Sequence, residues 1–457
     1  MLVPRLMVLT LAVALGGMVT LSPVATGTAT AASGRETGLA SHRDPAGPST
    51  QRWTAPRRWA TADDWEPNVA ASQTSAWVYQ LTTRYSHPSQ CARAKGHCIV
   101  FRASANHGRT WKATRAVPSR YCPPARHRCV LARNQNDPVL AVSTAGVIYA
   151  AWMDDWDVVF MRSADHGRTW HDQADFRRAA GLSFTDKPWI AISRSGRDVY
   201  VAFNASNSYI AASHDYGRTW SRPVRTNSDH RYWFAEGGAV ARSGSVYFAE
   251  SAEHQSAKGN IELTVITSAD GGRRWGTKVI ATSQQQPRCR VADCPNDFFG
   301  SQISLAVDRS GTVLAAYCAN KKAGTPLSLF IRSAAGGRRW SQSRLVSSLG
   351  TAVGVGFPKV VAGLRPGVFE VGWEDDRNGP AAWNVWASRT VDGGAVWSST
   401  HQVSRSGAGF VFPYGDYFGM TIDGSGTFYL TWSAGHSYDG PGSTWWSKVR
   451  SDRPYGS

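Results

Sequence analysis

Beyond the apolar run at residues 6–19, this chain has no stretch of the roughly 20 consecutive apolar residues that a membrane-spanning helix needs. That run is itself too short to span. The chain also carries no HExxH pair, no Gly-rich phosphate loop and no Ser-His-Asp order, so the commonest zinc-protease, nucleotide and serine-hydrolase chemistries have no anchor in it. None of its seven cysteines falls in a zinc-ligand spacing. Acidic residues are outnumbered, 33 against 50 Lys and Arg, for a formal charge of +17. The basic residues are scattered and form no basic helix or recognised module, so nucleic acid is excluded as a partner. A basic surface suits anionic polysaccharides, wall polymers or acidic glycans. The plainer alternative is a composition generally rich in Ala, Gly and Arg.

Arg5, the apolar run and the small residues closing at Ala29-Thr30-Ala31 have the order of a secretory signal peptide. Cleavage is expected near Ala31 or Ala32. No cysteine stands there to carry a lipid anchor, so the expectation is a secreted, extracellular protein. Residues 1–32 are thus the signal peptide, 33–50 a disordered lead-in rich in Gly, Ser, Thr and Pro, and 51–457 a single domain. Cysteine usage fits an oxidising compartment. Cys91 and Cys98, Cys122 and Cys129, and Cys289 and Cys294 form three close pairs. Cys318 is either a buried free thiol or a substitute for one member of the third pair.

An eight-residue stretch occurs six times. The cleanest copy is Ser163-Ala164-Asp165-His166-Gly167-Arg168-Thr169-Trp170, and the others begin at Ser104, Ser213, Ser268, Ser333 and Thr390. Such self-similarity marks a repeat architecture. Each copy lies between short alternating runs, where Asp binds nearby backbone N–H groups and Gly supplies a positive φ, so each is a hairpin turn. The closing Trp is expected to pack between its hairpin and the neighbouring unit. Asn106 replaces the Asp in the first copy and can make similar bonds. Ala335 replaces it in the fifth and cannot, which predicts a looser turn there. The pattern S-x-D-x-G-x-T-W resembles the Asp-box, or bacterial neuraminidase repeat, of sialidase-like β-propellers.

Aligned on the boxes, each unit reads as an apolar strand, a Gly turn, a second strand ending in an aromatic, a polar loop, a third strand, the box and a fourth strand. There are seven such units and six boxes, because the unit 419–449 has no box after it. The fold class is therefore all-β, a propeller of four-stranded antiparallel blades with the Asp-box hairpins between third and fourth strands. Seven blades are expected, with six as the alternative count and the number that the resemblance to sialidases implies. The last unit lacks chain for a fourth strand, and residues 52–59 are placed to supply it.

Because neighbouring strands run antiparallel, the boxes share one end of the ring with the turns after first strands. The loops after second strands and those leading into first strands share the other end. That second end collects carboxylates and aromatics. Loops leading into first strands hold Asp137, Asp186 with Lys187 and Trp189, Trp233 with Glu236, Asp297 with Phe298 and Phe299, and Tyr414 with Asp416 and Tyr417. Loops after second strands hold Asp154, Asp155, Trp156 and Asp157, then Glu250 and Glu253, then Glu374, Asp375, Asp376 and Arg377, then His436 and Tyr438. Paired carboxylates serve glycosidic cleavage and aromatic faces stack on sugar rings. The candidate catalytic groups are Asp137, Asp186, Glu250, Glu374, Asp416 and Tyr417. The candidate substrate contacts are Trp156, Lys187, Trp189, Trp233, Arg377, Tyr414, His436 and Tyr438.

The resemblance implies a sialidase mechanism: three arginines on the substrate carboxylate, a tyrosine nucleophile paired with a glutamate, and an aspartate acid/base. For the tyrosine and glutamate this sequence offers Tyr417 with Glu250. It departs from the family at the first arginine, which stands in an Arg-Ile-Pro motif. Here the corresponding places read Glu66-Pro67, Asp137-Pro138 and Asp186-Lys187-Pro188. An acidic ring repels a sialate carboxylate. The expected function is a glycan-cleaving enzyme, a glycoside hydrolase or relative, with a non-catalytic glycan- or wall-binding propeller as the alternative and an exo-sialidase disfavoured. No cofactor is expected. Asp154, Asp155 and Asp157, or Asp375 and Asp376, are either hard oxygen ligands for a structural Ca²⁺ or a repeated turn. The expected partner is a glycan or polysaccharide, which an acidic character would suit, and the expected state a monomer.

Overall fold

In the computed structural model the described residues are 53–59, 63–85, 91, 96–118, 134–228, 231–254, 260–287, 300–347, 354–404 and 409–450. They all belong to one compact unit spanning Gln51–Arg453. The signal-peptide and lead-in expectations lie outside the described residues, as do Cys122, Cys129, Cys289, Cys294, Asp297, Phe298 and Phe299.

Seven antiparallel sheets form seven blades. Their innermost strands are, in order, Asp64–Ala71, Gln135–Val142, Asp186–Ile192, Arg231–Val240, Ile303–Val307, Val355–Ala362 and Gly419–Ile422. Each of the first six blades takes its four strands consecutively from the chain. The seventh is closed by the other end of the domain. Arg57–Arg58 pairs with the strand Gly442–Arg450, Arg57 opposite Trp446 and Arg58 opposite Trp445. Trp59 reinforces the closure, with its ring 5.0 Å from Trp111 and 5.9 Å from Trp446. The one helix among the described residues, Phe176–Ala180, has five residues, and no helix there is long and apolar enough to cross a membrane.

The boxes do what their residue types dictate. In the second box Asp165 Oδ1 accepts from the Arg168 and Thr169 N–H groups at 3.0 and 2.9 Å, and Oδ2 accepts from the Thr169 hydroxyl at 2.6 Å. Ser163 Oγ accepts the Gly167 N–H at 2.9 Å. Gly167 has φ 80° and abuts Phe101 of the preceding blade so closely that a Cβ would come within 2.2 Å of that ring. The closing Trp170 packs edge-on to the same Phe101 at 5.5 Å. Trp220 repeats this on Phe160 at 4.7 Å. The box therefore ties each hairpin to the blade before it, as the sequence predicted. Asn106 keeps the turn, accepting from Thr110 N–H at 2.9 Å. Ala335 has no side-chain acceptor, and backbone bonds hold its tip: Gly336 N–H to the Gly311 carbonyl at 2.9 Å, with longer ones of 3.4 Å from Gly337 and Arg338.

Apolar seams between blades supply the core. One seam joins Tyr79, Leu81 and Phe101 of blade one to Leu140, Ala150 and Trp152 of blade two. Another joins Tyr200 and Ala202 of blade three to Trp233 and Phe248 of blade four. Burying such side chains stabilises by about 1.5–3 kcal/mol each. Cys91 and Cys98 are disulfide-bonded, and Cys318 is a buried free thiol.

Candidate functional site

The innermost strand of a blade is an edge strand facing the central channel, so a proline there removes no ladder hydrogen bond. Four of these strands use that freedom at the same level. Glu66-Pro67, Asp137-Pro138, Lys187-Pro188 and Phe357-Pro358 each sit in a break of strand register, and the residue before the proline has φ of 55°, 53°, 48° and 58°. Blade four breaks register at Glu236. Left-handed conformations cost on the order of 1–3 kcal/mol in a non-glycine residue. A bulge re-aims the side chain it carries. Repeated around the ring, these bulges gather charged side chains at one end of the channel.

The gathering centres on Lys187. Its ammonium contacts Asp137 Oδ1 at 2.8 Å and Glu66 Oε1 at 3.5 Å, and it also pairs with Asp416 Oδ2. Carboxylate oxygens of Glu66, Asp137 and Asp416 lie within 4.8 Å of one another. The Asp137 N–H donates to Glu66 Oε2 at 3.1 Å. Asp186 lies beside them, its Oδ1 accepting the Lys187 N–H at 2.8 Å. The Tyr417 ring stands 5.8 Å from the Lys187 ammonium and 6.2 Å from Trp189, and its hydroxyl donates to the Pro138 carbonyl at 3.1 Å. Across the mouth Lys359 lies 3.7 Å over the Trp189 ring and donates to the Glu236 carbonyl at 2.7 Å. Gln302 bridges the ring, donating to the Asp416 carbonyl at 2.8 Å and accepting the Phe357 N–H at 2.7 Å.

Burial and charge divide the protons among these groups. Burial, then Asp137 and Asp416, push Glu66 well above the usual carboxylate range. Burial would also raise Asp416, but Lys187 and a hydrogen bond from Glu66 override it, and Asp416 is held low. Glu66 is thus the proton-bearing partner and Asp416 the ionised one. Burial and then Asp137 push Asp186 up to about 7, and burial pushes Glu236 up to about 8. Burial lowers Lys359 to about 7, while the surrounding carboxylates raise Lys187 against its own burial. Two carboxylates of opposed proton affinity side by side are the equipment of acid/base chemistry.

The structure brings Asp137, Asp186, Lys187, Trp189, Asp416 and Tyr417 together and corrects the placement of others. Glu250 is not at the mouth. Its strand, Val246–His254, turns it into the seam with blade three, where Ser208 bonds it, and burial pushes it up to about 8. It cannot partner Tyr417, whose carboxylate neighbours are Glu66, Asp137 and Asp416. Burial and these charges raise the Tyr417 phenol well above its ordinary value, the reverse of what an ionised nucleophile needs. Glu374 is likewise buried, on the strand Phe369–Asp375, with Oε2 unbonded and its proton affinity raised by burial and Asp375. Alternation turns it away from Trp373, which packs into the seam with blade five.

Trp233 and Tyr414 are core residues, the first in the seam between blades three and four. The second is 1% exposed, its hydroxyl donating to Asp63. Arg377 is held by Asp375, Nη2 to Oδ2 at 2.6 Å, and stacks 4.1 Å over Trp386, so it clamps nothing at the mouth. Tyr438 packs against the core, His436 is exposed, and Trp156 stands 47% exposed on a tight turn. The candidate calcium carboxylates are turn-formers. Asp155 Oδ1 accepts the Asn134 N–H, Asp157 Oδ1 the Arg177 N–H, Asp376 Oδ1 the Gly354 N–H, and Asp375 the Trp373 indole N–H. Asp154 pairs with Asp157 across the same hairpin. Among the described residues the only carboxylate group close enough to hold a cation is Glu66, Asp137 and Asp416, and Lys187 already lies among them.

Glu66, known from the sequence only as part of an acidic ring, joins the site, as do Lys359, Gln302 and Tyr232, the last of which bonds to Asp186. The available sign was the X-Pro dipeptide at the head of first strands, read there as a missing arginine motif and not as a repeated bulge.

The profile of the family described as BNR repeat-like domain matches residues 36–363. No curated protein matches the chain in sequence. Among solved structures, an ulvan lyase (a polysaccharide lyase) bound to a GlcA(1-4)Rha3S fragment is similar at 12% identity and a TM-score of 0.50, covering 86% of this chain and 95% of its own. The intramolecular trans-sialidase of Ruminococcus gnavus matches at 12% identity and 0.43, with 86% and 96% covered. A variant of the NanB sialidase of Streptococcus pneumoniae matches at 10% and 0.47, with 88% and 70% covered. At these identities the likeness is one of fold.

Proposed function

We propose, from the premise that this chain belongs to the BNR repeat-like family, that it is an exported enzyme cleaving glycosidic bonds at the channel mouth. The observation that carries the reading is the Glu66, Asp137 and Asp416 cluster, with oxygens within 4.8 Å, against a wall formed by Trp189 and Tyr417. In this reading Glu66 holds the proton and delivers it to the leaving oxygen. Asp416, held low, supplies the ionised carboxylate that attacks the sugar carbon or draws a proton from water, with Asp137 beside it. Their closeness favours the retaining geometry, roughly 5–5.5 Å between carboxyls, over the roughly 6.5–9.5 Å of inverting enzymes. Burial raises Asp137, so Asp416, which Lys187 helps to hold low, is the carboxylate kept ionised until substrate arrives. The bonded pair Cys91–Cys98 and the apolar run 6–19 support export.

A second reading is a glycan-binding propeller without chemistry. It is favoured by the contacts of Lys187 with three carboxylates, which would hold the bulges together in the absence of any reaction. The test is incubation with sialosides, neutral oligosaccharides and acidic polysaccharides, with products read by mass spectrometry. Cleavage abolished by Asp137→Asn supports the enzyme. Saturable binding of an uncleaved polymer, surviving Asp137→Asn but lost in Trp189→Ala, supports the binding module.

A further inference from the structure

The two lysines of the mouth are placed differently. Lys187 touches three carboxylates. Lys359, on the innermost strand of blade six directly after Phe357-Pro358, is only 6% exposed and has no carboxylate within ion-pair distance among the described residues. Its hydrogen bond goes to a neutral carbonyl, that of Glu236, at 2.7 Å. The carboxylates whose charges act on it, Glu236 and Asp416, bond to other groups. Glu236 accepts from the Ile303 N–H at 2.7 Å and the Ser251 hydroxyl at 3.0 Å, and Asp416 pairs with Lys187.

An ammonium has three protons to donate, and a buried one is costly unless it is paired. The Trp189 face, 3.7 Å away, attracts the cation but offers less than a carboxylate would. Burial accordingly lowers Lys359 to about 7. The fold thus holds a desolvated, under-compensated cation against an aromatic wall. The Tyr417 ring is 5.9 Å from Lys359 and 5.8 Å from Lys187, so it forms the partition between this cation and the carboxylate cluster.

We propose that Lys359 anchors an anionic group of the glycan, a sugar carboxylate or sulfate ester, beside the residue presented to Glu66, Asp137 and Asp416. The inference rests on reading the mouth as the glycan site and names the class of glycan as anionic. Trp189 and the Glu236 carbonyl hold the ammonium in place, and the anion supplies the missing partner.

The test measures binding of the purified full chain to matched polymers at pH 6: polygalacturonate against its carboxyl-reduced form, and dextran sulfate against dextran. Wild type is expected to prefer one anionic member by about tenfold or more, and the pair that shows the preference tells carboxylate from sulfate. Lys359→Gln is expected to reduce that preference to below about threefold, and Lys359→Arg to keep it. Equal binding within both pairs overturns the inference, as does binding of none of the polymers. So does a preference that survives Lys359→Gln, which would belong to the general basic surface. An unchanged melting temperature in the glutamine variant separates loss of the anchor from loss of the fold. Preference without cleavage supports the anchor and sinks the enzyme reading. Cleavage without preference does the opposite.

Discussion

At the scale of single residues, what a side chain contributes depends on whether its environment completes its bonds. Asp165 has four acceptor bonds and Ala335, at the same place in another box, has none. Asp165→Ala is expected to lower stability by about 1–2 kcal/mol and Ala335→Asp to raise it by about 1 kcal/mol, read from denaturant midpoints. Opposite signs are the check, since a loss in both would mean that the turn is set by the backbone alone. Glu250 gives a pH-dependent case. Burial raises it from 4.5 to about 8 in the folded protein. Between those values the folded state keeps a proton that the unfolded chain has released, so stability falls by about 1.4 kcal/mol per pH unit as pH rises. Glu250→Gln removes that slope, and its melting temperature should exceed the wild-type value by a margin that grows up to about pH 8. Parallel melting profiles would refute the assignment. Glu250 also shows what a sequence conceals. A glutamate after the aromatic run of a second strand looked like a mouth residue, but the strand runs on to His254 and its alternation, with period two, turns Glu250 into a seam.

At the scale of elements, the box hairpins and the inner-strand bulges have opposite legibility. A box is written in eight contiguous residues, so its turn and its Trp packing could both be read from the chain. A bulge is written only in Glu66-Pro67, Asp137-Pro138, Lys187-Pro188 and Phe357-Pro358, and its meaning lies in what the ring brings opposite it. Lys187 meets Glu66 and Asp416 from positions 121 and 229 residues away, since no local pattern records a partner across the channel. The strand Arg57–Arg58 pairs with the strand Gly442–Arg450 from the far end of the domain, as expected for residues 52–59. Trp59 fastens it against Trp111 and Trp446, so Trp59→Ala is expected to cost about 3–5 kcal/mol and expose the seam of blades seven and one. Urea unfolding with hydrogen exchange resolved to the strand Gly442–Arg450 would show it. Protection unchanged there would mean that the ring closes without its last strand.

At the scale of the whole molecule, the ring is a device for convergence. Strands that each place one charged residue at one height produce, in the round, a cluster that no blade could build alone. Asp416 held low beside Glu66 held high is a property of the closed ring, because each group's proton affinity is set by residues from other blades. Lys187 and Lys359 are the cations that the ring brings to this mouth. The central claim is that Glu66 carries the proton for glycosidic cleavage, and the most direct measurement is the rate of product release by wild type and Glu66→Gln on the same glycan. Removal of a general acid typically costs about 10²–10⁴-fold in rate. Glu66→Gln is expected to show a loss of that size with substrate binding retained and the melting temperature at or above that of wild type. Cleavage at an undiminished rate by Glu66→Gln, or no cleavage of any glycan by wild type, would contradict it.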